Sequence, residues 1–421
     1  MSLGPTEDHR GPRRIVVTGF GAVTPYGCGV PTMWQALREG RTAVRCCPAL
    51  AQVQGLRTTV AAEVPEVDAQ WIDRKKRRYM SKMSIYATVA AQEAIRMAAL
   101  TPELVLDVRT GVCLGSTTGS TFEIEHLFGE VLKERNIAGV KSTHFFKIMS
   151  SSCAANVAQA LGIRGRLLAP SAACATGTIA IGLGAESIAL GKQDVMICGG
   201  ADELHALTVG VFDTLEASSR GYNDRPEMTP RPFDRDRDGI VCGEGAGVVI
   251  LESLEHARER NAPILGEIKG FAVNSSPEDI ANPGPESMRQ CMRTAVEESG
   301  LATEEIGYLN AHATGTLRGD SAECEAVESV FGRDIPVSSL KGHMGHTMAA
   351  CGTLELIATL LMLRDGVLLP TRNLREPDDT CGRLNLLMQT EHRQVEAAIS
   401  NNFALGGVNS AVVIRRSISD R

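Results

Sequence analysis

The strongest constraint on folding is a repeated signal: a short apolar run bounded by glycine, with longer segments of helical spacing between such runs. The runs are Arg14–Gly19, Gly111–Leu114, Asp194–Cys198 and Gly247–Leu251. Each is short and aliphatic, which predicts a strand buried on both faces. Apolar spacing predicts helices over Met33–Glu39, Ser81–Ala99 and Ile179–Leu190. Buried strands alternating with helices longer than about ten residues predict an α/β fold with covered sheets. Glycine supplies 42 of 421 residues, above the usual share of about 7%, so close backbone packing and tight turns are expected.

An internal echo is visible. Gly245-Ala246-Gly247-Val248-Val249-Ile250 resembles Gly406-Gly407-Val408 followed by Ala411-Val412-Val413-Ile414. Each is a glycine turn feeding an apolar strand, the pattern of two similar halves or of two ordinary strands. The segment Asn261-Ala262-Pro263 is the natural boundary, giving halves 13–260 and 261–421 after a disordered lead-in at 1–12.

The net charge of −7 argues against a general nucleic-acid binder. Twelve cysteines are scattered, with no Cys-x-x-Cys, and several lie in strand-like runs. That distribution predicts reduced, buried thiols and a cytoplasmic protein. The longest apolar stretch, Leu354–Leu363, is interrupted by Glu355, so no membrane span is expected. Asp234-Arg235-Asp236-Arg237-Asp238-Gly239 imitates a calcium loop, but Gly245 stands where the twelfth-position Glu is needed. The glycines at 19–21 and 243–247 lack dinucleotide-loop spacing, and His343 and His346 lack further metal ligands. No metal and no organic cofactor is implied.

Three segments concentrate chemistry. Cys174 lies in Ser171-Ala172-Ala173-Cys174-Ala175-Thr176-Gly177, among side chains too small to shield it and just before a helix. There the helix dipole favours a thiolate, with a pKa of roughly 3.5–7.5 in known cases; the alternative is an inert buried thiol. His312 lies in Asn310-Ala311-His312-Ala313-Thr314-Gly315-Thr316, and His346 in Lys341–Gly352. Both follow strand ends, the edge of an α/β sheet where ligands bind. One thiol and two imidazoles meeting there could carry an acyl thioester and stabilise an oxyanion or enolate.

These segments resemble the three active-site motifs of the β-ketoacyl-acyl-carrier-protein synthases, types I and II. Agreement extends through Pro230–Gly239, Gly243–Gly247, Gly191–Asp194 with Gly199-Gly200, and Asn402-Phe403 with Gly406, Gly407 and Asn409. It runs in order from about residue 13 to 416. The resemblance implies a thiolase-like fold, two pseudo-symmetric halves in five αβαβα layers, and a homodimer. It implies that Cys174 takes an acyl chain from its carrier and that the N–H groups of Cys174 and Leu405 form an oxyanion hole. His312 and His346 would bind the malonyl thioester carbonyl as neutral donors, and decarboxylation would yield an enolate that attacks acyl-Cys174. Lys341 and Glu323 would support the histidines, and Thr314, Thr316, Phe403, Ala404 and Leu405 would line or gate the substrate path. The basic run Arg74-Lys75-Lys76-Arg77-Arg78 would dock the acidic acyl carrier protein; a solvated helix face is the alternative.

The chain departs from the family at Phe403-Ala404-Leu405-Gly406-Gly407-Val408-Asn409, where the family usually has Phe-Gly-Phe-Gly-Gly-Thr-Asn. Leu405 replaces the gating aromatic, and Ala404 would be strained if its φ had to be positive. Ala313 stands where glycine is common, and Ser275–Pro285 is unusually rich in Pro and Asn. These changes point to an unusual acyl group. The alternatives are a silent, chain-length-shaping subunit, a specialised-lipid or polyketide condensing enzyme, and a thiolase acting on coenzyme A thioesters. Retention of Cys174, His312 and His346 disfavours the silent subunit, and the lack of a cysteine in Asn401–Asn409 disfavours the thiolase.

Overall fold

The computed structural model describes residues 13–277, 279–280 and 284–417. Residues 1–12 and part of the Ser275–Pro285 loop lie outside the described residues. The predicted strands are present and mostly longer than the apolar runs suggested. In the first part of the chain they are β1 (Ile15–Thr24), β2 (Thr110–Gly115), β3 (Leu167–Leu168), β4 (Val195–Asp202) and β5 (Gly245–Ser253). In the second part they are β6 (Gly266–Ser275), β7 (Ile306–Asn310), β8 (Pro336–Ser338), β9 (Ala397–Ala404) and β10 (Val408–Arg416). The helix predicted at Met33–Glu39 spans Val30–Arg38, opened by Pro31 in its first turn.

Both sets of strands have one topology. The first runs β3-β2-β4-β5-β1 and the second β8-β7-β9-β10-β6. In each, the first two pairings are parallel and the last two antiparallel. The echoing sequences fall on equivalent strands, β5 and β10, which explains the echo as a structural repeat. The two sheets are not separate: β1 and β6 pair antiparallel at Ile15↔Ile268, Val16↔Glu267 and Val17↔Gly266, joining them edge to edge.

Helices complete five layers. Helices α1 (Lys82–Met97) and α2 (Ser152–Leu161) cover the outside of the first sheet. On the second, α4 (Pro285–Ser299) packs on β6 and β10, with α5 (Leu317–Phe331) against it. Between the sheets lie α3 (Thr176–Ala189) and α6 (Cys351–Asp365), which touch each other and strands of both sets. Their compositions follow from that position. Every residue of α6 from Cys351 to Leu363 is buried, and Glu355 is the one charged side chain among them. α3 uses glycines instead: a Cβ on Gly182 would strike the Phe271 ring of β6, and one on Gly184 would strike Cys198 of β4. The helix can therefore lie close to both sheets.

The central helices begin alike. A single 3₁₀ turn precedes each, Ala173–Ala175 before α3 and Met348–Ala350 before α6. Each turn opens on a non-glycine residue at positive φ, Ala173 at 46° and Met348 at 52°. Such conformations cost about 1–3 kcal/mol each, and the surrounding packing must hold them. They aim Cys174 and the segment behind His346 at the same space.

Candidate active site

Three strand-to-helix connections deliver the chemistry-bearing residues. Cys174 lies in the turn between β3 and α3, His312 follows β7, and His346 lies between β8 and α6. The Cys174 sulfur and one nitrogen of each imidazole lie within 4.8 Å of one another, all buried. The rings of His312 and His346 meet edge to face, 5.3 Å apart at 83°, and Phe403 stands 6.4 Å from His312. A cavity of about 460 Å³ opens onto this cluster, and Thr314, Thr316, Phe403, Ala404 and Leu405 line it as well.

Hydrogen bonds fix the state of His346. The backbone N–H of Met348 donates to its Nδ1 at 3.0 Å, so in the neutral ring the proton sits on Nε2. That Nε2 is buried and has no hydrogen-bond partner among the described residues, leaving an N–H donor at the cluster. A Cys-His-His set has the composition of a metal cage, but a protonated Nε2 has no lone pair to give a metal. The site is built to donate. Burial, then the Lys341 charge, holds both imidazoles well below their ordinary pKa; His346 adds to the effect on His312. Both rings are therefore neutral at physiological pH.

Cys174 differs from the sequence expectation. Burial of the sulfur, on a residue only 4% exposed, pushes its pKa up to about 11. Lys341 and the backbone N–H groups of Leu405 and Cys174 pull it down, without overcoming desolvation. The dipole argument fails because α3 begins only at Thr176 and the sulfur lies in a closed, low-dielectric corner. The same two N–H groups are those expected to form the oxyanion hole, and both lie against the sulfur.

Lys341 and Glu323 act from behind. The Lys341 ammonium pairs with Glu355 at 2.5 Å, the two side chains 1% and 0% exposed. Burial opposes the lysine's charge, but Glu355, Cys351 and Glu323 together raise the pKa. Asn402 of β9 donates to the other Glu355 oxygen at 3.0 Å, and Thr178 of α3 donates to the Asn402 carbonyl at 2.5 Å. Glu323 acts through the backbone. Its carboxylate takes the backbone N–H groups of His312 and Ala313 at 2.9 and 2.7 Å, with Asn401 at 3.3 Å. Burial lifts its pKa to about 7. Asp320, one turn earlier on α5, takes the N–H groups of Thr314, Gly315 and Phe233.

Two family models cover most of the chain. Residues 12–257 match "Beta-ketoacyl synthase, N-terminal domain" and 265–375 match "Beta-ketoacyl synthase, C-terminal domain". The 3-oxoacyl-[acyl-carrier-protein] synthase 1 of Haemophilus influenzae is 36% identical over 406 residues, 96% of this chain and 99% of that one. The chain belongs to the β-ketoacyl synthase family. Among solved structures, a β-ketoacyl synthase from Burkholderia phymatum has a TM-score of 0.93 at 41% identity, covering 96% of this chain and 100% of that one. A type II polyketide ketosynthase, AntDE, solved with its acyl-carrier protein AntF and bound to the hexaketide, has a TM-score of 0.88 at 29% identity over 96% of this chain and 100% of that one.

Some residues of this β-ketoacyl synthase behave differently from the sequence reading. Ala404 carries no positive φ: it completes β9, and the left-handed positions of the loop are Gly406 at 97° and Gly407 at 74°. Its methyl group is therefore unstrained. The basic run Arg74–Arg78 is a short helix, Arg74–Arg77, capped by Asp73, and its members are unequal. Lys76 donates to the Ala160 carbonyl and Arg77 to that of Ala69, so both are partly structural. Arg74, Lys75 and Arg78 are exposed. Glu355 and Asp202 were not singled out from the sequence. Asp202 ends β4 and takes the Ala349 N–H at 2.8 Å, pinning the turn behind His346. A legible signal for Glu355 existed, since a lone charged residue within a long, otherwise uncharged helical stretch requires a buried partner.

A thiol with this pKa has a definite alkylation profile. Iodoacetamide labelling of Cys174, followed by peptide mass spectrometry, should accelerate about tenfold per pH unit from neutrality to about pH 9, because only the thiolate reacts. A plateau below pH 8 would instead mean a depressed pKa.

Proposed function

We propose that this chain is a 3-oxoacyl-[acyl-carrier-protein] synthase in which Cys174 carries the acyl group and His312 and His346 activate malonyl carrier protein. The observation that carries this reading is the convergence of the three side chains on one cavity, with His346 fixed as an Nε2–H donor. In the first half-reaction the Cys174 sulfur attacks the carrier thioester. The N–H groups of Cys174 and Leu405 hold the tetrahedral oxyanion, and the thiol proton leaves with the carrier's sulfur. No external base is consumed in that exchange, which suits a thiol of high pKa.

In the second half-reaction the malonyl thioester oxygen faces the histidines. The carbon–carbon bond to the carboxylate breaks and carbon dioxide leaves. The resulting enolate oxygen is held by hydrogen bonds from His346 and His312. The enolate carbon then attacks acyl-Cys174; the carbon–sulfur bond breaks, the β-ketoacyl chain is two carbons longer, and the sulfur takes a proton from water. Lys341 supplies positive potential to the cluster, and Glu323 holds the His312 backbone. In this scheme the N-terminal half, residues 13–260, provides the nucleophile, and the C-terminal half, 261–421, provides both histidines.

We assign the acyl carrier protein as partner, in keeping with the carrier-bound AntDE ketosynthase. A homodimer is supported by large exposed apolar side chains between Phe122 and Met149, among them Phe128, Leu132, Ile137 and Phe145. Sedimentation should show two copies per particle; a monomer would refute this. A cytoplasmic location is supported by twelve cysteines, all free thiols. Among the described residues no helix is long and apolar enough to cross a membrane.

The decisive assay mixes the protein with an acyl carrier thioester and malonyl carrier protein, and follows carbon dioxide release and product mass. Wild type should form the β-ketoacyl product, and Cys174→Ala should lose condensation by about a thousandfold or more. Unchanged turnover in that variant would sink the assignment. Leu405 lines the cavity where the family's gating aromatic stands, so Leu405→Phe should shift the acyl lengths accepted; identical length profiles would show that Leu405 is not selective. Reversing the exposed cations (Arg74→Glu, Lys75→Glu, Arg78→Glu) should raise KM for carrier thioesters several-fold at low salt while leaving kcat unchanged. An unaltered KM would place carrier docking elsewhere.

A further inference from the structure

Most buried cysteines outside the active site sit among apolar side chains, but Cys324 and Cys381 face each other. Cys324 lies on α5 and Cys381 on the loop 377–384, and both belong to the core of the second half. The loop is held against the helix next to them. Ser321, one turn before Cys324, hydrogen-bonds through its hydroxyl to Thr380 at 2.6 Å. Arg237 bridges the same elements: it pairs with Asp378 at 3.0 Å and donates to the Leu317 carbonyl and the Ser321 hydroxyl at 2.9 and 3.1 Å. Cys381 is buried, yet it lies just beneath the surface, flanked by exposed Asp379, Thr380, Gly382 and Arg383.

We propose that Cys324 and Cys381 form a dithiol modification site, which a hydroperoxide converts to a disulfide that fastens the 377–384 loop to α5. The two sulfurs have unequal roles. The two thiols interact side chain to side chain, and the Thr380 hydroxyl lies 3.7 Å from the Cys381 sulfur. The Cys324 interaction, with lesser help from Thr380 and Arg237, lowers the Cys381 pKa against the opposing effect of burial, whereas Cys324 is raised well above the ordinary value. Cys381, on the surface loop and beside the Thr380 hydroxyl, is the thiol a peroxide meets first, and Cys324 on α5 is the resolving thiol. The Cys381 sulfur attacks one peroxide oxygen and the O–O bond breaks, giving a sulfenic acid and an alkoxide or hydroxide. Cys324 then attacks the sulfenic sulfur; the S–S bond forms, the S–O bond breaks, and water leaves with the Cys324 proton. Two electrons pass from the thiols to the peroxide, and an added dithiol returns them.

The site matters because α5 also carries Asp320 and Glu323, whose carboxylates hold the backbone from His312 to Gly315. A cross-link from α5 to a loop 57 positions further on would restrain the helix that positions His312 (381 minus 324). The proposal does not depend on the condensing activity, so the two can fail separately.

The test treats the full chain with hydrogen peroxide, digests it without reduction and maps the peptides by mass spectrometry. A linked peptide containing Cys324 and Cys381 should appear, and dithiothreitol should remove it. Cys324→Ser should leave Cys381 as a sulfenic acid that dimedone traps. The oxidised protein should also melt several degrees above the reduced one, because the cross-link restricts the unfolded chain, and Cys381→Ser should lose that increment. A wild-type digest without the linked peptide, or with Cys381 oxidised to the sulfinic acid while Cys324 stays a thiol, would overturn the proposal. Equal melting of a protein shown to be cross-linked would refute the fastening.

Discussion

The site rests on the buried pair of Lys341 and Glu355. Two opposite charges enclosed in a low-dielectric interior are costly to desolvate, and the attraction between them offsets that cost only when geometry is good and the remaining polar atoms are bonded. Here Asn402 takes up the second carboxylate oxygen, and Thr178 fixes Asn402. The network therefore spans α6, the segment after β8, β9 and α3. The ammonium at its centre depresses the pKa of both imidazoles and draws down that of Cys174. One ion pair orders the scaffold and sets the field in which the reacting groups stand.

Around that pair the repeat in the chain has been put to asymmetric use. Both halves build the same core of five strands and feed a central helix through a 3₁₀ turn opened by a residue at positive φ. In the first half the turn presents Cys174. In the second it supplies the Met348 N–H that holds His346 as an Nε2–H donor and the Ala349 N–H that Asp202 grips. Backbone strain is thus stored twice, once beside Cys174 and once behind His346. Glycines in α3 let that helix approach both sheets closely, which keeps the two turns together.

Much of this was legible in the chain. Apolar runs bounded by glycine gave the strands, and the 245–250 and 406–414 echo fell on equivalent ones. Cys174, His312 and His346 stood out because reactive side chains lay among small residues after strand ends. Errors arose where long-range packing overrode local rules. The sequence places Cys174 before a helix and so favours a thiolate, but closure by the second half desolvates the sulfur and reverses the sign. Ala404 was suspect only until the positive φ values proved to lie at Gly406 and Gly407. Glu323, expected to support the histidines, holds the backbone N–H groups of His312 and Ala313.

By itself, then, the sequence determined the alternation of strands and helices and the repeat, and it singled out Cys174, His312 and His346, because these depend on local pattern and side-chain chemistry. Only the tertiary structure decided how those residues are charged and which atoms they present. Ionisation depends on how much water remains near a group and on which charges stand beside it. The cluster draws on residues from 174 to 405, and no local pattern can specify how closely such distant segments pack. The facing of Cys324 and Cys381 is of the same kind: two ordinary cysteines in the chain become neighbours only when a surface loop folds back onto α5.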